Sequence, residues 1–160
     1  MSGAMRDGVA AGTALDSHGT TDTLISVEDV RGTNFGDTII GSTAANFLRG
    51  RGGDDTIEGG QGDDTLRGEG GDDLFVFNNG DGNDSISWGD FQAGAGTFDM
   101  LDVSAFGFAS AAAALAAASD DGGGNTLVQL DGDDSVRLIG VAVGSLHEDD
   151  FMVYGGRRRA

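Results

Sequence analysis

From Gly32 to Val76 the chain divides into five consecutive blocks of nine residues: GTNFGDTII, GSTAANFLR, GRGGDDTIE, GGQGDDTLR and GEGGDDLFV. Each opens with glycine (Gly32, Gly41, Gly50, Gly59, Gly68) and carries Asp37, Asn46, Asp55, Asp64 or Asp73 in sixth place. The eighth place holds Ile39, Leu48, Ile57, Leu66 or Phe75, and after a two-residue slip NGDGNDSIS puts Asp84 and Ile86 in the matching places. Glycines in the first half of a block permit the left-handed backbone of a tight turn. The last three residues, such as TIE or TLR, make a minimal strand with one apolar side chain between polar ones. Turn–strand units repeated head to tail wind into a parallel solenoid with the apolar residue inward. Two units complete one coil, so residues 18 apart stack. Ile39, Ile57 and Phe75 then form one column, and Leu48, Leu66 and Ile86 face them.

One apolar side chain per unit is a thin core for a chain of formal charge −18, with eight aspartates between Asp54 and Asp84. Without counter-charge, repulsion and backbone entropy leave such a chain unfolded. Of the 27 acids, 23 are aspartate, and there is no cysteine, proline or lysine. These absences exclude a collagen helix, a disulfide scaffold and a Cys-ligated zinc site. The only basic cluster is Arg157, Arg158 and Arg159, which excludes a basic nucleic-acid-binding face. No run of about 18 apolar residues spans a membrane. No hydrophobic leader with a basic start is present, so export is expected to use another route. A small extracellular core needs staples, and without cysteine the staple is metal.

Aspartates spaced along a solenoid edge, with glycine carbonyls between them, form oxygen-only sites. Ca2+ takes six to eight hard oxygens and tolerates irregular geometry. Each ion is expected between two stacked turns, with one aspartate from each: Asp37 with Asp55, Asp55 with Asp73, and Asp64 with Asp84. That gives about three sites, or four if Asn46 serves with Asp64. The turn glycines Gly50, Gly52, Gly53, Gly59, Gly62, Gly68, Gly70 and Gly71 complete the candidate metal-binding set. Asp54, Asp63 and Asp72, in the variable fifth place, are read as outward side chains that add negative potential. No EF-hand loop is present.

GGQGDDTLR (59–67) fits the nonapeptide G-G-x-G-x-D-x-U-x completely, and blocks 50–58 and 68–76 fit with one glycine displaced. The array resembles an RTX (repeat-in-toxin, haemolysin-type calcium-binding) domain. TDTLISVEDVRGTNFGDTIIG resembles the segment that opens such arrays. The stretch from DGNDSI through DMLDVSAFGF to DDFMV resembles the C-terminal part of serralysin-type protease RTX domains and alginate-epimerase R-modules. The resemblance implies an all-β fold, a right-handed parallel β-roll whose calcium is held by sixth-place aspartates and alternate loop carbonyls. It also implies a secreted, extracellular protein exported by the type I secretion machinery through an uncleaved C-terminal signal. The degenerate second block, the slip at Asn78 and the GGRRRA end depart from the family pattern.

Four segments follow from these readings: a flexible lead-in (1–22), a calcium-binding roll (23–87), a capping and secretion region (88–154) and a tail (155–160). In the capping region Ser110–Ala118 reads as a short helix with a serine N-cap. Asn125–Leu130 and Ser135–Val141 read as a hairpin, and Asp149–Tyr154 as a last strand. Trp88, Phe91, Phe98, Phe106 and Phe108 suit the closing of a solenoid end. His18 and His147 have no neighbouring ligand set and read as surface residues. Glu148, Asp149 and Asp150 read as a cap or strand edge, and no H-E-x-x-H occurs. The expectation is a non-catalytic module that folds on binding calcium. The alternative is a carbohydrate-binding R-module for acidic polysaccharide, for which Arg31, Arg49, Arg51 and Arg67 are the candidates, Arg49 stacking on Arg67.

Overall fold

The computed structural model describes residues 11–15, 21–25, 28–87, 90–94 and 99–153. A hairpin of β1 (Ala11–Leu15) and β2 (Thr21–Ile25) precedes the array. The repeats supply β3 (Asp29–Arg31), β4 (Thr38–Ser42), β5 (Phe47–Gly52), β6 (Thr56–Gly60), β7 (Thr65–Gly70), β8 (Leu74–Val76) and β9 (Asn83–Ile86). Successive strands go to opposite sheets. One sheet runs β4, β6, β8 and the other β3, β5, β7, β9, with every neighbouring pair parallel. The fold is an all-β parallel β-roll.

The stacked columns form as the period demands. Ile39 lies beside Ile57 and Ile57 beside Phe75, while Leu48 lies beside Leu66 and Leu66 beside Ile86. The slip after Phe77 leaves this register intact, because the turn through Asn79 and Gly80 takes up both extra residues. Val30 adds a floor to one column. The capping region extends both upward: β10 (Met100–Asp102) sets Leu101 on Phe75, and β13 (Ser135–Leu138) sets Leu138 on Ile86. All these side chains are buried. Each contributes roughly 1.5–3 kcal/mol of hydrophobic burial.

The cap departs from its sequence reading in two places. The helix α1 covers only Ala111–Leu115, with Ser110 Oγ accepting the Ala113 N–H at 3.2 Å. Ala118–Asp120 is instead a strand, β11, antiparallel to β12 (Thr126–Gln129). Alanine has little apolar surface to bury, and only Ala114 of the helix is buried, so pairing with β12 overrides helix propensity. The hairpin of β12 and β13 forms as expected. The last strand, β14, is only Phe151–Met152 and lies parallel to β10. Phe91 packs against Phe75 with centroids 6.2 Å apart, and Phe106 and Phe108 lie against the core. Trp88, Phe98 and His18 lie outside the described residues.

Within the stretch read as a flexible lead-in, β1 pairs antiparallel with β4. The reason is the edge: β4 would otherwise present unpaired N–H and C=O groups, and the hairpin covers them.

Candidate metal centre

The sixth-place aspartates line up along two edges of the roll, joined by a ladder of hydrogen bonds. On one edge Asp37 N donates to Asp55 Oδ1 (2.7 Å) and Asp55 N to Asp73 Oδ1 (2.9 Å). On the other, Asn46 N donates to Asp64 Oδ1 (2.6 Å) and Asp64 N to Asp84 Oδ1 (2.9 Å). The period puts carboxylates over one another, and each uses one oxygen to hold the backbone of the coil before it.

The second oxygen is what distinguishes the turns. Asp55 Oδ2, Asp64 Oδ2 and Asp73 Oδ2 are buried with no hydrogen-bond partner, on residues no more than 2% exposed. A buried carboxylate oxygen left without a partner carries a desolvation penalty that a cation would remove. At Asp37 the equivalent oxygen accepts from Thr33 N (2.6 Å) and Thr33 Oγ1 (3.0 Å), and Asn46 Oδ1 accepts from Ser42 N (2.7 Å). Thr33 and Ser42 occupy the second place of their blocks. Where the oxygen is open, the second place is left-handed: Arg51 (φ 89°), Gly60 (φ 86°) and Glu69 (φ 72°). Only Arg51 and Glu69 among the described non-glycine residues have positive φ. Such backbone costs about 1–3 kcal/mol and clusters at functional sites.

The glycines answer two demands. Gly50, Gly59 and Gly68 open their blocks without positive φ, because a Cβ there would collide with Oδ2 of Asp55, Asp64 or Asp73. The sequence reading gave these a turn role, but steric room for the carboxylate is what fixes them. Of the candidate turn glycines, Gly53, Gly62 and Gly71, in fourth place, are left-handed. Gly52 and Gly70 are stacked in register, and Gly53 N donates to Gly70 O at 2.8 Å. Among the described residues no three carboxylate or imidazole side chains converge on one point. A cation here would take carboxylate oxygens together with turn carbonyls, the hard donor set suited to Ca2+.

Burial, opposed by the backbone N–H bonds and reinforced by neighbouring carboxylates, pushes Asp55 up to about 7, Asp64 and Asp73 to about 6 and Asp84 to about 8. The described cations do not answer this charge. Arg49 pairs with Asp29 (3.1 Å), Arg67 with Asp90 (2.9 Å) and Arg137 with Asp121 (3.5 Å). Fifth-place Asp54 and Asp63 are exposed, and accept backbone N–H groups of the next coil, from Asp72 and Asn83. Asp72 is also exposed.

Among the buried aspartates that escaped the sequence reading, two reach back from the capping region to backbone N–H groups of the roll. Asp99 continues the first edge, accepting from Asp73 N at 3.0 Å, and Asp134 accepts from Gly80 N and Gly82 N at 2.7 and 2.8 Å. Their spacings, 26 residues from Asp73 and 52 from Gly82, break the period of 18. A local signal survives at Asp99, which stands two before Leu101 as Asp73 stands two before Phe75, whereas on the other edge Val136, not Asp134, lies beside Asp84. At the far end, Asp150 is buried and accepts from His147 N and Gly94 N, and His147 caps the turn Glu148–Asp150. The trio forms the turn that leads into β14, with Asp150 completing a capping box with His147.

The RTX calcium-binding nonapeptide repeat (4 copies) family matches residues 31–66 and 50–86. No curated protein matches the sequence. Among solved structures the chain is similar to the extracellular lipase LipA from Serratia marcescens, at 21% identity and a TM-score of 0.45. The match covers 82% of this chain and 22% of that one, so the chain spans about a fifth of the lipase's length. No helix among the described residues is long and apolar enough to cross a membrane. By the family match, residues 31–86 are RTX calcium-binding nonapeptide repeats.

Proposed function

We propose that this chain is a calcium-driven folding module of a secreted protein, exported unfolded by type I machinery and closed into its roll outside the cell. One observation carries the reading: three buried Oδ2 atoms without partners, each seated over a glycine that could carry no side chain there. The carboxylates of Asp55, Asp64, Asp73 and Asp84, with carbonyls of the glycine-rich turns, hold ions between stacked coils. When bound, calcium supplies the positive charge that −18 lacks and couples its binding free energy to folding. Extracellular modules bind calcium at about 0.1–1 mM, far above cytosolic levels, so the chain stays open inside the cell. We assign the described residues no catalytic role. Calorimetric titration of the full chain with calcium tests the reading. Saturable binding abolished by chelator is expected, and no binding heat up to about 10 mM would overturn it.

The reaction depends on pH in a defined sense. In the calcium-free roll these aspartates titrate above the ordinary unfolded value near 4. Between about pH 4 and 8 the folded state therefore holds more protons than the unfolded state, and apo stability rises as pH falls. Calcium needs the same groups ionised, and in the unfolded chain they already are above about pH 5, so folding on calcium releases protons only where the unfolded carboxylates begin to protonate. The calcium midpoint is expected to change little from pH 8 to pH 6 and to rise about threefold from pH 6 to pH 4. A midpoint that stays flat down to pH 4 would contradict the ligand assignment.

A polysaccharide-binding role is less well supported. Arg31, Arg49 and Arg67 do stack in register, with Arg51 beside Glu69 at the turn. The guanidiniums of Arg49 and Arg67 are engaged by Asp29 and Asp90, and Arg49 also lies 4.7 Å over the Phe47 ring.

A further inference from the structure

We propose that Asp99, from the capping region, completes a calcium site with Asp73 beyond the end of the nonapeptide array, whereas the first turns, those of Asp37 and Asn46, take no ion. The inference rests on the calcium reading above and fixes which turns are used. Asp73 is 2% exposed, its Oδ2 has no partner, and Gly68 leaves it the same room that Gly50 leaves Asp55. Its N–H is held by Asp99 Oδ1 at 3.0 Å, as Asp55 N is held by Asp73 Oδ1 at 2.9 Å. The turn of Asp73 thus matches that of Asp55 in its open oxygen, its first-place glycine and its backbone bond to the next rung, here a carboxylate from outside the array. Asp99 is itself 1% exposed, and its other oxygen is fixed by Gln92 N at 2.8 Å. The bond from Gln92 N fixes the orientation of that carboxylate in the folded chain.

The first coil shows the converse. Second-place Thr33 and Ser42 lack the left-handed backbone of Arg51, Gly60 and Glu69. Their N–H groups turn onto Asp37 and Asn46 and occupy the oxygens an ion would need. Three sites result, Asp55 with Asp73, Asp73 with Asp99, and Asp64 with Asp84. The cap then becomes part of the calcium machinery, so that filling the last site fixes the cap to the roll.

Ion counting by equilibrium dialysis at saturating calcium tests this on the full chain. About three ions are expected for the unaltered protein, two for Asp99→Asn, and three for Asp37→Asn. Retention of three ions with an unchanged midpoint in Asp99→Asn would overturn the proposal, as would loss of an ion in Asp37→Asn. Anomalous diffraction from calcium-grown crystals of the unaltered chain avoids any dependence on how variants fold. It should show an ion touching both the Asp73 and Asp99 carboxylates, and none in the turns of Asp37 and Asn46. Ions at Asp55 and Asp64 without one at Asp73 would sink this inference alone, whereas absence of ions from every turn would sink the calcium reading itself.

Discussion

Asp55→Ala is expected to raise the calcium midpoint of folding at least about tenfold, while Asp63→Ala, eight residues along, moves it less than about threefold. Asp55 does two things. Its Oδ2 is one of the open oxygens, and its Oδ1 accepts the buried Asp37 N–H at 2.7 Å. Losing an ion bound at a hundredfold over its Kd removes about 2.7 kcal/mol. Leaving the Asp37 N–H unsatisfied costs about 1–3 kcal/mol more. Each tenfold of calcium acting through two remaining ions restores about 2.7 kcal/mol, so the deficit corresponds to one to two decades. Asp63 is exposed, and its one backbone contact, to Asn83 N at 3.0 Å, is worth about 0.5–1.5 kcal/mol. Calcium titrations followed by circular dichroism read both midpoints. Equal shifts would mean that the aspartates act only through net charge.

The second large effect lies in the core. Leu66 is fully buried between Leu48 and Ile86, and the turns around it are glycine and aspartate. Leu66→Ala removes the middle rung of that column and is expected to cost about 2–5 kcal/mol. For a chain of this size that lowers the melting temperature of the calcium-loaded form by roughly 5–20 °C. Thr65→Ala, at a half-buried position beside it, should shift melting by only a few degrees. A Leu66→Ala melting point within about 2 °C of wild type would show that the columns do not carry the stability assigned to them.

The period of nine made the central roll legible before any coordinates: which residues stack, which face inward and which carboxylates lie over one another. What it could not show depends on backbone conformation and on contacts without a period. Thr33 and Arg51 hold the same place in their blocks, yet one closes its turn with an N–H and the other turns left-handed and leaves the oxygen open. Block spacing treats Asp37 and Asp55 alike for that reason. Asp99 and Asp134 reach the edges from 26 and 52 residues away, where stacking is set by the cap's own hairpin and loop. The alanine stretch misled because propensity favoured a helix through Ala118, while the Ala118–Val128 register placed its end in a sheet. The first-place glycines were found for the wrong reason, since a block's opening residue and its sixth meet only in three dimensions.

Underlying all of this is one claim, that calcium converts an unfolded acidic chain into the roll. Small-angle X-ray scattering of the full chain, with chelator and then with about 5 mM calcium, tests it most directly. A chain of 160 residues has a radius of gyration of about 42 Å unfolded and about 15 Å as a compact domain. The account predicts a value near 40 Å without calcium that falls below about 20 Å when calcium is added and returns on chelation. A radius below about 20 Å in both conditions would show that the roll closes without its ions, and would contradict the account.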